Sequence, residues 1–217
     1  MNKYDLVIFD LDGTLLDTTE GIMDSVIYTI NSMSLHMLEK DDFKQFIGPP
    51  IIETFGKVYG LNMDDAKKAT DIFRDVYKEK NLYKAIEYEG ICNVLRTLSE
   101  RNIKNAVATY KREDYAKKLI NNYYFKKYLN YIYGSDDNNF LKKSDIIEKC
   151  IVKSNIIDRN RIVMVGDTEF DYIGAKEAKI DFISVNYGFG FKDKLKKLGN
   201  YHIGYVYKPI EILNYII

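Results

Sequence analysis

The stretch Asp10-Leu11-Asp12-Gly13-Thr14-Leu15-Leu16-Asp17 constrains this chain more than any other. It follows Tyr4-Asp5-Leu6-Val7-Ile8-Phe9, a short apolar, β-branched run that predicts a fully buried strand. Gly13 permits a sharp turn or a close backbone approach to a ligand. Asp10 and Asp12 come straight off that strand and cannot both stay unpaired in an apolar core. They belong in the loop beyond it, where α/β proteins bind ligands. The plain alternative is a solvated turn that happens to contain Asp and Gly.

Downstream, the apolar period changes twice. Thr18 or Thr19 can cap a helix starting near Glu20, in which Ile22, Met23, Val26, Ile27 and Ile30 fall at helical spacing. Helical character continues over 41–46, 51–59 and 64–80, and no strand is predicted before Tyr83. The stripe Ala66, Ala69, Ile72, Phe73 and Val76 reads as core packing. From Tyr88 onward, helices alternate with strands at 105–109, 131–133, 162–165 and 182–185, with an edge strand at 203–207 and a last helix after Pro209. That alternation predicts a doubly wound parallel sheet. The fold class is therefore α/β, a Rossmann-like core carrying a helical insert after its first strand.

Composition narrows the functional classes. With 46% hydrophobic residues in a chain of 217, a sizeable core is available. Lysine plus arginine and aspartate plus glutamate both number 32, so bulk charge gives no drive toward nucleic acid or a membrane surface. The aromatic-basic piece 123–128 could stack on single-stranded nucleic acid, but a connector covering the sheet edge is the better reading in a neutral protein. Met1-Asn2-Lys3 runs straight into a strand with no apolar leader, and no segment is long enough to span a bilayer. Cys92 and Cys150 read as reduced thiols of a cytoplasmic protein rather than a disulfide or zinc site. His36 and His202 have no nucleophile motif beside them and read as structural.

Three further segments carry polar groups where this topology places ligands. Thr109 stands at the end of a predicted strand in Val107-Ala108-Thr109-Tyr110-Lys111. Lys142 and Lys143 precede a predicted helix. Val163-Met164-Val165-Gly166-Asp167-Thr168-Glu169-Phe170-Asp171 is a buried strand, a glycine turn and two carboxylates. An N-cap with an acidic helix start explains one of those carboxylates but not the pair.

Taken with these segments, Asp-x-Asp-Gly-Thr-Leu-x-Asp resembles the first motif of the haloacid dehalogenase superfamily, in its phosphatase branch near the phosphoglycolate phosphatases. The resemblance extends over essentially the whole chain, with the four motifs in order and each expected at the carboxyl end of a strand. It implies a Mg²⁺-dependent phosphatase for small phosphomonoesters, phosphoglycolate-like, sugar phosphate or nucleotide. Asp10 would be the nucleophile and a metal ligand, and Asp12 the general acid and base, with its backbone carbonyl on the metal. Gly13, Thr109 and Tyr110 would lie against the phosphate. Asp167 and Asp171 would complete the metal site, the second also orienting the lysine.

For the motif-three lysine the reading prefers Lys143 over Lys142, because Lys143 directly precedes a predicted N-cap at Ser144; many family members have proline there. Residues 1–17 and 84–217 would form the catalytic core and 18–83 the cap. Within the cap, Gly48 and Pro49, in Phe46-Ile47-Gly48-Pro49-Pro50-Ile51, resemble a loop that reaches over the active site; an ordinary Gly-Pro helix break is the alternative. The expected partner is a small phosphorylated metabolite, without nucleic acid or membrane, and the expected assembly a monomer or weak homodimer. A phosphomutase of the β-phosphoglucomutase type is the competing enzyme, disfavoured because Thr14-Leu15-Leu16 stands where such enzymes carry Val-Ile and no histidine follows closely. A binding or regulatory protein on the same scaffold is the third class, and the full set of charged site residues argues against it.

Overall fold

Strand β1 (Leu6–Phe9) is buried at every position, and the chain is arranged around it. The computed structural model describes residues 2–39, 42–137, 140–190 and 199–217. Strands β4 (Lys104–Arg112), β5 (Tyr131–Ser135), β6 (Ile162–Gly166), β7 (Asp181–Val185) and β8 (His202–Val206) join β1 in one six-stranded sheet, ordered β5-β4-β1-β6-β7-β8. Every neighbouring pair is parallel. Phe9 is level with Val107 on one side and Val165 on the other, so the ends of β1, β4 and β6 lie together. The order reverses at β1, and such a switch point opens a crevice beyond the carboxyl ends of the strands.

Continuous apolar strands need cover on both faces. Leu6 and Ile8 point into a cluster with Ile146, Ile147 and Cys150 of helix α6 (Lys143–Ser154) and with Tyr172 and Ala175 of α7 (Glu169–Glu177). Val7 and Phe9 point the other way by strand alternation. Helices α4 (Ile91–Glu100) and α5 (Glu113–Ile120) also pack against β4. The aromatic connector forms a 3₁₀ turn, Tyr124–Tyr128, packed on α4 with Phe125 buried. The last segment is a 3₁₀ turn, Pro209–Ile212, leading into the short helix α8 (Leu213–Ile216).

The chain divides into two compact units, residues 1–16 with 87–217 and residues 17–86. Two-residue strands β2 (Leu16–Asp17) and β3 (Ile86–Glu87) pair where the chain passes between them. The second unit is helical among its described residues: α1 (Thr19–Ser32), a 3₁₀ turn Asp42–Phe46, α2 (Ile51–Tyr59), and α3 (Met63–Val76) running into a π turn Tyr77–Asn81. Asp41, expected to begin a helical segment, lies outside the described residues. Thr18 occupies the cap position of α1 without a side-chain cap bond, and Asp17 Oδ1 accepts from both the N–H and the hydroxyl of Thr19, at 3.0 and 2.5 Å.

His202 hydrogen-bonds with the Ser184 hydroxyl at 2.9 Å, and His36 packs edge-on to Tyr59. Both cysteines are free thiols. No helix among the described residues is long and apolar enough to cross a membrane.

Candidate active site

Asp10 is the first residue past β1, and its N–H donates to the Val165 carbonyl at 2.9 Å, which fixes the turn-off point of the chain. Its carboxylate is buried, and Lys143 Nζ stands 2.5 Å from Asp10 Oδ1 and 2.7 Å from Asp171 Oδ1. Asp10, Asp167 and Asp171 each bring one carboxylate oxygen into a group whose members all lie within 4.8 Å of one another.

The capping chemistry of α7 places Asp171. Its Oδ2 accepts from the Thr168 N–H at 3.0 Å and from the Thr168 hydroxyl at 2.7 Å, closing a capping box. That leaves Oδ1 turned toward Lys143, so one carboxylate both caps its helix and holds the lysine.

A separate clasp sets Asp167. The Phe189 N–H, in the segment that follows β7, donates to Asp167 Oδ2 at 2.7 Å, and the Thr14 hydroxyl reaches Oδ1 at 3.4 Å. The Tyr187 hydroxyl ties that segment back to the Thr14 carbonyl at 3.0 Å. Gly13 sits at φ +87°, and a Cβ there would lie 2.6 Å from the Phe189 ring. Only glycine satisfies both demands.

Lys143, not Lys142, reaches the carboxylates; Lys142 is exposed. The expected N-cap at Ser144 lies two residues beyond the observed one. Helix α6 begins at Lys143, and Lys142 is the cap residue, its N–H donating to Asp145 Oδ2 at 2.9 Å. Asp145 at the third helical position accepts that bond, so Ser144 is free to donate to Glu177 at 2.7 Å. The lysine also stands at a helix start rather than at a strand end, unlike the other three motifs. Thr109 is buried on β4 at the same end of the sheet as Asp10, and its hydroxyl accepts from the Lys111 N–H at 3.1 Å. Gly48 and Pro49 belong to the other unit, where Gly48 has φ +102° and Pro50 is the cap residue of α2.

The sequence reading missed Lys111. Its ammonium pairs with Asp12 Oδ1 at 2.9 Å, both side chains nearly buried. A signal was present: in an extended strand Lys111 shares a face with Thr109. The Phe189 and Tyr187 contacts were missed as well, and they arise only when the segment after β7 folds back on the loop after β1.

Burial pushes the Asp10 carboxyl up to about 7, with Asp171 and Asp12 adding to the rise and Lys143 opposing it. Asp167 is raised well above the usual carboxylate range, by burial first and then by Asp171 and Asp10. Burial works against the Lys143 charge, yet Asp10 and Asp171 outweigh it and hold the ammonium above its ordinary value. Three buried carboxylates around one ammonium leave an excess of negative charge that a hard divalent cation would offset. Such an ion takes a few carboxylate oxygens and completes its shell with water and substrate oxygens, and the donor set fits that need.

Comparison with known proteins agrees with this geometry. The family model described as haloacid dehalogenase-like hydrolase matches residues 7–185. A 5'-nucleotidase from Pseudomonas aeruginosa is 31% identical over 89% of the chain and 88% of that protein. The tyrosine-protein kinase PtkA from Mycobacterium tuberculosis is 32% identical over 88% of the chain and 65% of that protein. Among solved structures, a predicted phosphatase from Clostridium acetobutylicum superposes with a TM-score of 0.88 at 32% identity, covering 98% of this chain and 97% of that one.

Proposed function

Because this chain belongs to the haloacid dehalogenase-like hydrolases, we propose that it hydrolyses small phosphomonoesters through a covalent aspartyl-phosphate on Asp10. The observation that carries the reading is the Lys143 ammonium held between Asp10 at 2.5 Å and Asp171 at 2.7 Å, with Asp167 in the same cluster. A carboxylate approaching a phosphate dianion meets charge repulsion, and fixed positive charge at the point of attack offsets it. Lys143 supplies that charge from the protein. Asp10, Asp167, Asp171 and the backbone carbonyl of Asp12 would hold Mg²⁺, which supplies further charge neutralisation and orients the phosphoryl oxygens.

Asp10 attacks phosphorus in line with the leaving oxygen, and the P–O ester bond breaks as the Asp10–phosphorus bond forms. Asp12 gives a proton to the departing alkoxide and then takes one from the water that cleaves the acyl phosphate. The Lys111 ammonium, 2.9 Å from Asp12 Oδ1, fixes the orientation of that carboxylate. Thr109, with the N–H of Tyr110, binds a phosphoryl oxygen, and the backbone at Gly13 lies close to the phosphate. Residues 18–83 act as a cap, in which the stiff segment Gly48-Pro49 narrows access to small leaving groups. The substrate is a small metabolite such as a phosphoglycolate-like acid, a sugar phosphate or a nucleotide; the named 5'-nucleotidase relative supports keeping nucleotides in that set.

The test is turnover of p-nitrophenyl phosphate and of a panel of phosphorylated metabolites with and without Mg²⁺, for the wild type and Asp10→Asn. Mg²⁺-dependent release of phosphate that Asp10→Asn reduces to background supports the reading. Activity within about tenfold of wild type in that variant, a difference of only ~1.4 kcal/mol, overturns it.

A further inference from the structure

Helix α6 opens with a lysine at its cap position, and a lysine side chain has no acceptor to offer the first-turn N–H groups. The Lys143 N–H nevertheless has a partner, the hydroxyl of Tyr110 on β4, at 3.0 Å. The ring of the same tyrosine lies beside the other end of Lys143, its centroid 5.5 Å from Nζ. The same ring meets Phe170 edge-on, with centroids 5.6 Å apart, and Phe170 is the neighbour of Asp171. One side chain thus touches the backbone of the lysine, its ammonium, and the helix that carries the lysine's carboxylate partner. The stem of Lys143 also passes close to α7, since a Cβ at Gly174 would lie 2.8 Å from Lys143 Cγ.

From these contacts we infer that Tyr110 is a positioning residue for Lys143, its hydroxyl setting where the lysine leaves the backbone and its ring setting where the ammonium comes to rest. The role falls to the side chain, through its hydroxyl and its ring. The inference rests on the phosphatase reading for its consequence in catalysis but not for the contact itself. An ammonium that must sit between two buried carboxylates has little tolerance for displacement, because a buried ion pair is favourable only with good geometry.

The test reads Lys143 directly. Each lysine's rate of acetylation by trace acetic anhydride is measured by peptide mass spectrometry in the wild type, Tyr110→Phe and Tyr110→Leu. Lys104 is the internal control: it lies on the same strand, and its ammonium is bonded to the Ser154 carbonyl at the far end of α6, at 2.7 Å. Loss of the hydroxyl alone in Tyr110→Phe should raise Lys143 labelling about fivefold, one net hydrogen bond expressed as an equilibrium. Tyr110→Leu also loses the ring and should raise it about tenfold or more, with Lys104 within about twofold of wild type.

Unchanged Lys143 labelling in both variants, or a rise shared in equal proportion by Lys104, overturns the inference, the second result marking general loosening of α6. A parallel assay with p-nitrophenyl phosphate should show kcat/KM falling in the same order, Tyr110→Leu below Tyr110→Phe. If the wild type turns over no phosphate ester, the phosphatase reading fails, while the labelling still decides whether Tyr110 places Lys143.

Discussion

Lys111 Nζ sits 2.9 Å from Asp12 Oδ1, and both side chains are almost wholly withdrawn from solvent. The pair brings a second lysine to the site alongside the one that touches Asp10. It also means that Asp12 is held by a charged partner, so its substitution has to be judged by chemistry rather than by loss of activity alone. Removing one member of a buried pair strands the other.

Asp12→Asn keeps the shape and the backbone carbonyl but removes proton transfer, commonly worth roughly 10²–10⁴-fold. The loss should be largest for alkyl phosphates, whose leaving groups need the proton, and smallest for p-nitrophenyl phosphate. Equal losses for both, measured as kcat/KM, would remove Asp12 from the role of general acid.

The two adjacent lysines give a sharp contrast. Lys143→Met leaves Asp10 and Asp171 without their shared ammonium and should lower kcat/KM by at least about 10²-fold, the order seen when one group stabilising transition-state charge is lost. Lys142→Met, at an exposed position, should stay within a few-fold of wild type. Reversal of that order in steady-state assays would contradict the arrangement.

Much of this arrangement was legible in the sequence, for a physical reason. The strands at β1 and β6 are continuous apolar runs, and a carboxylate at the end of such a run can go only to the crevice beyond it. Asp10, Asp167 and Asp171 were therefore readable from local pattern. Lys143 is preferred to Lys142 on an N-cap expected at Ser144, but the actual start of α6 lies two residues earlier, where Asp145 accepts the Lys142 N–H. The Tyr110 hydroxyl on Lys143 and the Phe189 N–H on Asp167 join segments far apart in the chain, and no local spacing encodes either contact.

Proton binding to Asp10 gives a pH prediction with a definite sign. Its carboxyl is raised to about 7 in the fold, so the folded protein holds that proton more tightly than the unfolded chain. Metal-free stability is then fully retained below the ordinary carboxylate range and is lost as pH rises toward and through about 7. Asp10→Asn should match the wild type in urea denaturation with EDTA only near about pH 3, below the ordinary carboxylate range, and should already lead it modestly near about pH 5. Near about pH 8 it should be the more stable, by at most roughly 4 kcal/mol at ~1.4 kcal/mol per pH unit. Taking the difference between the two proteins cancels His202, whose pKa is lowered by burial and acts in the opposite direction. Mg²⁺ should bind more tightly as pH rises over the same interval, because it competes with the proton. A wild type more stable than Asp10→Asn at the higher pH, without metal, would show that ionised Asp10 is not the strained group.

The cap reading makes its own prediction. Replacing Pro49 and Pro50 with glycine frees φ at both positions and softens a segment that Gly48 enters at φ +102°. Discrimination, taken as kcat/KM for the best metabolite over that for p-nitrophenyl phosphate, should fall by about tenfold, ~1.4 kcal/mol. Unchanged discrimination would leave the segment as an ordinary helix break ahead of α2.

The covalent intermediate is the central claim, and it can be trapped. Asp12→Asn should form the aspartyl-phosphate faster than it hydrolyses it when the leaving group is p-nitrophenol, since only the second step then needs the missing base. Acid quenching during turnover, reduction with borohydride and peptide mass spectrometry would convert a phosphorylated aspartate to homoserine at its own position. Homoserine at residue 10, dependent on Mg²⁺ and on substrate, is the predicted result. Release of p-nitrophenol with residue 10 recovered only as aspartate, or with the phosphoryl group on another side chain, would contradict the mechanism.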